Sequence, residues 1–181
     1  MKYFTADLHI GHANIIELCS RPFRSIGEMN NRIMVNWNQK VTNDDTVYIM
    51  GDMFFGKHPN VLEYVSYLNG KKYLTPGNHD DWMEHNEDAL CLFEEIALMM
   101  EVPYTEKRQL TLCHYPMMCW NEDRRGHGYM IHGHIHNRSN EVFFEYIRQN
   151  PNILNAGVDI NNFEPVTFEE LVCNNAKFKK K

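Results

Sequence analysis

Seven residues of metal-ligand type stand in or just behind short apolar runs: Asp7, His9, Asp52, Asn78, His114, His134 and His136. They comprise two carboxylates, four imidazoles and one carboxamide, with no thiolate. That mixture suits borderline divalent ions such as manganese, iron, zinc, cobalt or nickel, whereas magnesium and calcium prefer shells of oxygen alone. Seven donors exceed the roughly four that close a structural zinc site. They match two ions bridged by one shared carboxylate, with positions open to water and substrate. Such a pair, roughly 3.5–4 Å apart, clamps a phosphoryl group for in-line attack by a bridging hydroxide formed near neutral pH. The chain contains neither a G-x-S-x-G elbow nor a P-loop, so no serine nucleophile or phosphate-cradling loop competes for the role. Metal-assisted hydrolysis of a phosphate ester is the chemistry these residues suit. A single structural metal with accidental neighbours is the plain alternative.

The elements that must carry these residues are readable from local pattern. KYFTA, TVYIM, KKYLT, QLTLC and GYMI are short, rich in β-branched and aromatic residues, and each ends at a polar cluster. They predict buried strands, and NILNAGVDI predicts a late one. Between them, Ser25 and Glu28 have capping-box spacing ahead of Ile26, Met29, Ile33 and Trp37, which recur at helical intervals. A second helix is expected from about 59 to 68, ended by Asn69-Gly70, and a third after Thr167 and Glu170. Alternating strands and helices followed by closely spaced strands imply a mixed α/β sandwich. In open α/β sheets, loops at the carboxyl ends of strands converge on one crevice. Five runs that each end in Asp, His or Asn point to one site. In residues 75–81, TPGNHDD, Pro76 and Gly77 make a turn whose purpose is then to deliver Asn78 and His79.

DLH, GD, GNHD, a lone His and GHIH, in that order from Asp7 to His136, resemble the five motifs of the calcineurin-like metallophosphoesterases. The late NAGVD and PVTFEEL are similar to a compact bacterial and phage branch. The resemblance implies an α/β fold, a four-layer α/β/β/α sandwich with two mixed β-sheets, in a single domain over residues 1–181. It implies a first ion on Asp7, His9, Asp52 and His136, and a second on Asp52, Asn78, His114 and His134. His79 would contact the phosphate and protonate the leaving group, and Asp80 would orient the His79 ring. Two divalent transition-metal ions are the implied cofactors, with manganese favoured and iron, zinc, nickel or cobalt also fitting. The loop after Asp52 reads MFFG and lacks the DRG arginine of the protein phosphatases. A phosphodiester is therefore favoured over a phosphomonoester. A catalytically inactive metal-binding scaffold is the reading from another class.

His12 lies three residues beyond His9 and could be a second proton donor, a phosphate contact or a helix opener. Arg21 and Arg24, in RPFR, could clamp a substrate phosphate through paired hydrogen bonds or serve as surface and capping residues. His132 is expected in the core or behind the ligands. Trp82 and Trp120 lie near motifs and could line the cleft, whereas Phe143 to Tyr146 read as core. His58, His85 and His127 read as surface.

Composition sets the outer bounds. With 181 residues the chain suits one domain. Five cysteines without a CxxC pair read as reduced thiols in a cytoplasmic protein. No leader segment or run of roughly 20 apolar residues is evident. The net charge of −6 argues against broad duplex nucleic-acid binding. It leaves a small-molecule or nucleotide phosphate ester as the expected partner, with no membrane.

Overall fold

The computed structural model describes residues 1–56 and 60–180. The chain begins with β1 (Lys2–Thr5), α1 (Ile15–Leu18), α2 (Ile26–Lys40), β2 (Thr46–Ile49), α3 (Val61–Tyr67) and β3 (Lys71–Leu74). It continues through α4 (Glu87–Leu90), β4 (Phe93–Ile96), β5 (Met99–Thr105), β6 (Arg108–Cys113) and β7 (Gly128–His132). It ends with α5 (Val142–Gln149), β8 (Ile153–Asn155), β9 (Val166–Thr167) and α6 (Phe168–Phe178).

One sheet has the order β4-β3-β2-β1-β9 and the other β5-β6-β7-β8. In the first, β1 to β4 are parallel and β9 is antiparallel to β1. In the second, β6, β7 and β8 are parallel and β5 is antiparallel. Both sheets are therefore mixed. Strand alternation assigns the layers, because successive side chains point to opposite faces. Tyr3, Val47 and Ile49 pack with Met29, Ile33, Trp37, Val61 and Val65 on the helical side of the first sheet. Their neighbours Phe4 and Tyr48 meet Leu110, Leu112, Ile131 and Leu154 between the sheets. Met130 and Ile153 face the opposite way, onto Phe144, Ile147 and Phe178. Helix, sheet, sheet, helix is the expected four-layer arrangement.

Local signals account for most element ends. The Ser25 side chain caps α2 by accepting from the Glu28 N–H at 3.2 Å, while the Glu28 carboxylate reaches back to the Arg24 N–H at 2.8 Å. Thr167 and Glu170 form a complete capping box for α6. The helix α3 was expected to open near Pro59, which, like His58, lies outside the described residues. Phe143 to Tyr146 form part of α5, and of these only Phe144 is buried. All five cysteines are free thiols. Among the described residues, no helix is long and apolar enough to cross a membrane.

Candidate metal centre

Every residue of the motif set follows a parallel strand at its carboxyl end, three strands in the first sheet and two in the second. Asp7 and His9 follow β1, Asp52 follows β2, and Asn78 and His79 follow β3; His114 follows β6, and His134 and His136 follow β7. The third strand end of the second sheet, after β8, brings Asp159. Cross-links between the sheets set the gap. His114 Nδ1 donates to the Met50 carbonyl at 2.8 Å, and the His134 N–H donates to Asp7 Oδ1 at 2.9 Å. Of the nine non-glycine residues with positive φ among the described residues, five are Asp7, His9, Asp52, His134 and His136. Asp and His tolerate the left-handed region better than most residues, but each such position still costs on the order of 1–3 kcal/mol. Strain concentrated on one set of side chains marks them as held for a purpose other than the fold.

Those side chains form two adjacent groups. Ligand atoms of Asp7, His9 and His136 lie within 4.8 Å of one another, as do those of Asp52, His114 and His134. The Asp52 Oδ2 atom sits 3.5 Å from both His9 Nε2 and His114 Nε2, so it touches both groups. Asn78 completes the second, its Oδ1 lying 3.2 Å from His114 Nε2.

Proton accounting tests whether these atoms suit a cation. His114 Nδ1 donates to a carbonyl, which cannot donate back, so the neutral ring has its lone pair on Nε2. That lone pair faces two further electron-pair donors, Asn78 Oδ1 and Asp52 Oδ2. In the other group, His136 Nδ1 donates to Asp159 Oδ2 at 2.9 Å, which turns Nε2 to Asp7 and His9. Asp7 Oδ2 and His9 Nε2 are buried there without a hydrogen-bond partner. The facing lone pairs at His114, and Asp7 Oδ2 and His9 Nε2 left without a partner, are costly when buried and suit a metal ion. Burial, with the cations of His136, Arg21, His12 and His79, holds the His9 imidazole well below its ordinary value. Burial and His114 lower His134 to about 4. Both rings are therefore neutral at physiological pH, the form that ligates. Burial also raises Asp7 to about 6. For His136 burial acts downward, but its bonds to Asp159 and Cys19 and the nearby carboxylates carry it up to about 10, so the metal-free ring also holds a proton on Nε2 that a bound ion would displace. A third grouping, Cys19, His136 and Asp159, has its carboxylate already engaged by His136 and Arg21.

The family model for calcineurin-like phosphoesterases matches residues 3–171. The chain belongs to that family. Among its relatives, the uncharacterized protein MJ1445 of Methanocaldococcus jannaschii is 31% identical over 173 residues, covering 94% of this chain and 88% of the relative. The gene 66 protein of Mycobacterium phage L5 is 31% identical over 159 residues, covering 74% of this chain and 76% of its own. The solved structure of the protein of unknown function AQ665 from Aquifex aeolicus is similar with a TM-score of 0.72 and 25% identity, covering 94% of this chain and 96% of that one. Membership and the grouped carboxylates and imidazoles support a metal-dependent phosphoric ester hydrolase.

Not every residue of this phosphoesterase sits as its sequence suggests. Asp80 does not orient the His79 ring. Its carboxylate accepts from the N–H groups of Asp52, Met53 and Gly77 at 2.8, 2.9 and 2.8 Å and from Trp82 Nε1 at 2.7 Å. Those four donors use its lone pairs, and Asp80 thereby laces the GD loop to the GNHD loop. Arg21 cannot clamp a substrate, because its side chain is fully buried against Asp159. Arg24 is exposed beyond α2's cap. Trp82 and Trp120 are buried in apolar clusters and do not line the cleft. His132 is fully buried, its Nδ1 bonded to the Gly133 carbonyl at 2.8 Å.

His12 and His79 remain at the mouth of the site. The His12 ring stacks on Phe55 with centroids 3.7 Å apart, and its Nδ1 lies 3.4 Å from His9 Nδ1. The His79 ring is 5.3 Å from those of His9 and Phe55, and its backbone N–H donates to Asp52 Oδ1 at 2.9 Å. Sequence reasoning missed Asp159, Phe55 and Tyr115. Tyr115 packs edge-on to His114 and His134 and donates to Asn78 Oδ1 at 3.4 Å.

The turn in TPGNHDD has a steric requirement. A Cβ on Gly77 would lie 2.2 Å from Asp52 Oδ1, and one on Gly51, at φ +75°, would lie 2.5 Å from Gly77 N. Gly77→Ala must therefore push the Asn78-His79 loop away from Asp52. A displacement near 1 Å costs roughly 10²-fold in rate, and that is the loss expected in steady-state turnover with manganese. Turnover at the parent level would mean that the loop accommodates a methyl group there.

Proposed function

We propose that the chain hydrolyses phosphodiesters at a pair of divalent transition-metal ions, manganese being the favoured ion. The observation that supports this reading is Asp52 Oδ2, which lies 3.5 Å from a histidine nitrogen of each group. Asp7, His9, Asp52 and His136 would hold one ion, and Asp52, Asn78, His114 and His134 the other. When bound, such a pair supplies charge neutralisation at phosphorus and an activated water near neutral pH. His79, whose backbone N–H is tied to Asp52 Oδ1, would protonate the leaving oxygen.

Substrate class follows from the rim. Among the described residues, the loop after Asp52 presents buried Met53 and Phe54 and half-exposed Phe55, and the sequence carries no arginine there of the kind that meets a dianionic monoester in the protein phosphatases. Phe55 on one side and Tyr115 on the other, 39% and 47% exposed, offer aromatic faces to an ester substituent. This favours a small-molecule or nucleotide diester, and the net charge of −6 disfavours a duplex. With manganese present, bis-p-nitrophenyl phosphate is expected to turn over faster than p-nitrophenyl phosphate. A clear excess of monoester turnover would overturn the diester assignment.

A further inference from the structure

Arg21 makes a contact with every one of its five donors. Nε donates to Asp159 Oδ1 at 2.8 Å and one terminal nitrogen to Asp159 Oδ2 at 3.0 Å, a bidentate fork. The same nitrogen reaches the Asp7 carbonyl at 2.8 Å, and the other reaches the Leu8 carbonyl at 3.0 Å and Met29 Sδ at 3.4 Å. Asp7 and His9, at φ 57° and 53°, bracket those carbonyls, so the guanidinium grips the strained loop that carries two ligands. Asp159 turns its Oδ2 to His136 Nδ1 at 2.9 Å. The Arg21 and Asp159 side chains are 0% and 1% exposed, so this is a desolvated pair inside the ligand shell.

We infer that Asp159 and Arg21 are positioning residues of the metal centre. Asp159 holds the proton of His136 on Nδ1 and so aims the Nε2 lone pair at the ion, and Arg21 locks Asp159 to the Asp7–His9 loop. The inference rests on the two-metal reading of the site. A carboxylate behind a ligating histidine fixes its tautomer and orientation, and loss of such a partner typically weakens metal binding about 10–100-fold. A buried ion pair serving only the fold would change stability and leave both ions in place.

The test titrates the full chain with Mn(II). Wild type is expected to take two ions with an exchange-coupled EPR signal. Asp159→Asn is expected to keep one and to weaken the other about 10–100-fold, leaving the signal of an isolated ion. Arg21→Lys keeps the charge and loses the fork; it is expected to weaken the same ion, and it carries the test if Asp159→Asn does not fold. A second arm uses metal-free protein labelled with 15N-histidine. The His136 Nδ1–H should give a downfield, slowly exchanging resonance, assigned by its loss in His136→Gln and shifted upfield in Asp159→Asn. Parent affinity for both ions in the variants overturns the inference, whatever happens to their melting temperatures. A wild-type chain that never takes a second ion overturns the two-metal reading instead, and the metal-free resonance then decides the positioning role alone.

Discussion

Replacing Asp52 by asparagine is expected to abolish the coupled metal pair and to cut phosphoester turnover by at least ~10³-fold, since Lewis-acid stabilisation is worth several kcal/mol and each ~1.4 kcal/mol is tenfold. The substitution separates the two duties of the side chain. Its Oδ1 accepts the His79 N–H at 2.9 Å, and an amide oxygen can still do so. Its Oδ2, 3.5 Å from His9 Nε2 and His114 Nε2, becomes an NH2 group. That group donates to the lone pairs that the carboxylate left facing it, and a buried charge disappears. Metal-free Asp52→Asn should therefore melt no lower than the metal-free parent, while metal no longer raises its melting temperature as it does the parent's. Stoichiometry by elemental analysis, EPR and calorimetry would check all three results. Two ions still bound with a coupled signal would remove Asp52 from the bridging position.

The clustering of the candidate residues was legible because each follows a strand whose apolar pattern is short and bounded, so topology alone brings the strand ends together. Gly77 and Gly51 were legible as turn residues, but their steric role, 2.2 Å and 2.5 Å from loops of other strands, required the packed structure. Asp80 was misjudged for a related reason. Adjacency to His79 suggested a local bond, whereas its partners Asp52 and Met53 lie 28 and 27 positions away. Arg21 looked like a surface cation, whereas in the fold it is buried against the carboxylate of Asp159, 138 positions distant. No local pattern marks such a pair, and the only signal was the unexplained Asp in NAGVD after a predicted strand. The strand β5 escaped detection because Pro103 interrupts its pattern. Its place at the sheet edge explains the tolerance, since an edge residue can forgo one backbone donor.

His79→Ala is expected to retain both ions and lose about 10²–10⁴-fold in turnover, the usual contribution of a general acid. The ring belongs to neither ligand group, so metal content should not move. Leaving-group dependence separates acid catalysis from simple positioning. A nitrophenolate departs without help, whereas an alkoxide such as a ribose oxygen needs a proton as the bond breaks. The loss should therefore be small for bis-p-nitrophenyl phosphate and large for an alkyl or nucleoside diester. An equal loss on both would mean that His79 binds the phosphate and protonates nothing. His12 is the rival acid at the mouth, its ring 6.2 Å from that of His79. Burial and the His79 charge lower its basicity, and its ring is pinned between Phe55 and His9. His12→Ala is thus expected to reduce turnover evenly across leaving groups. A graded loss there, with an even one at His79, would exchange the two assignments and leave the metal pair untouched.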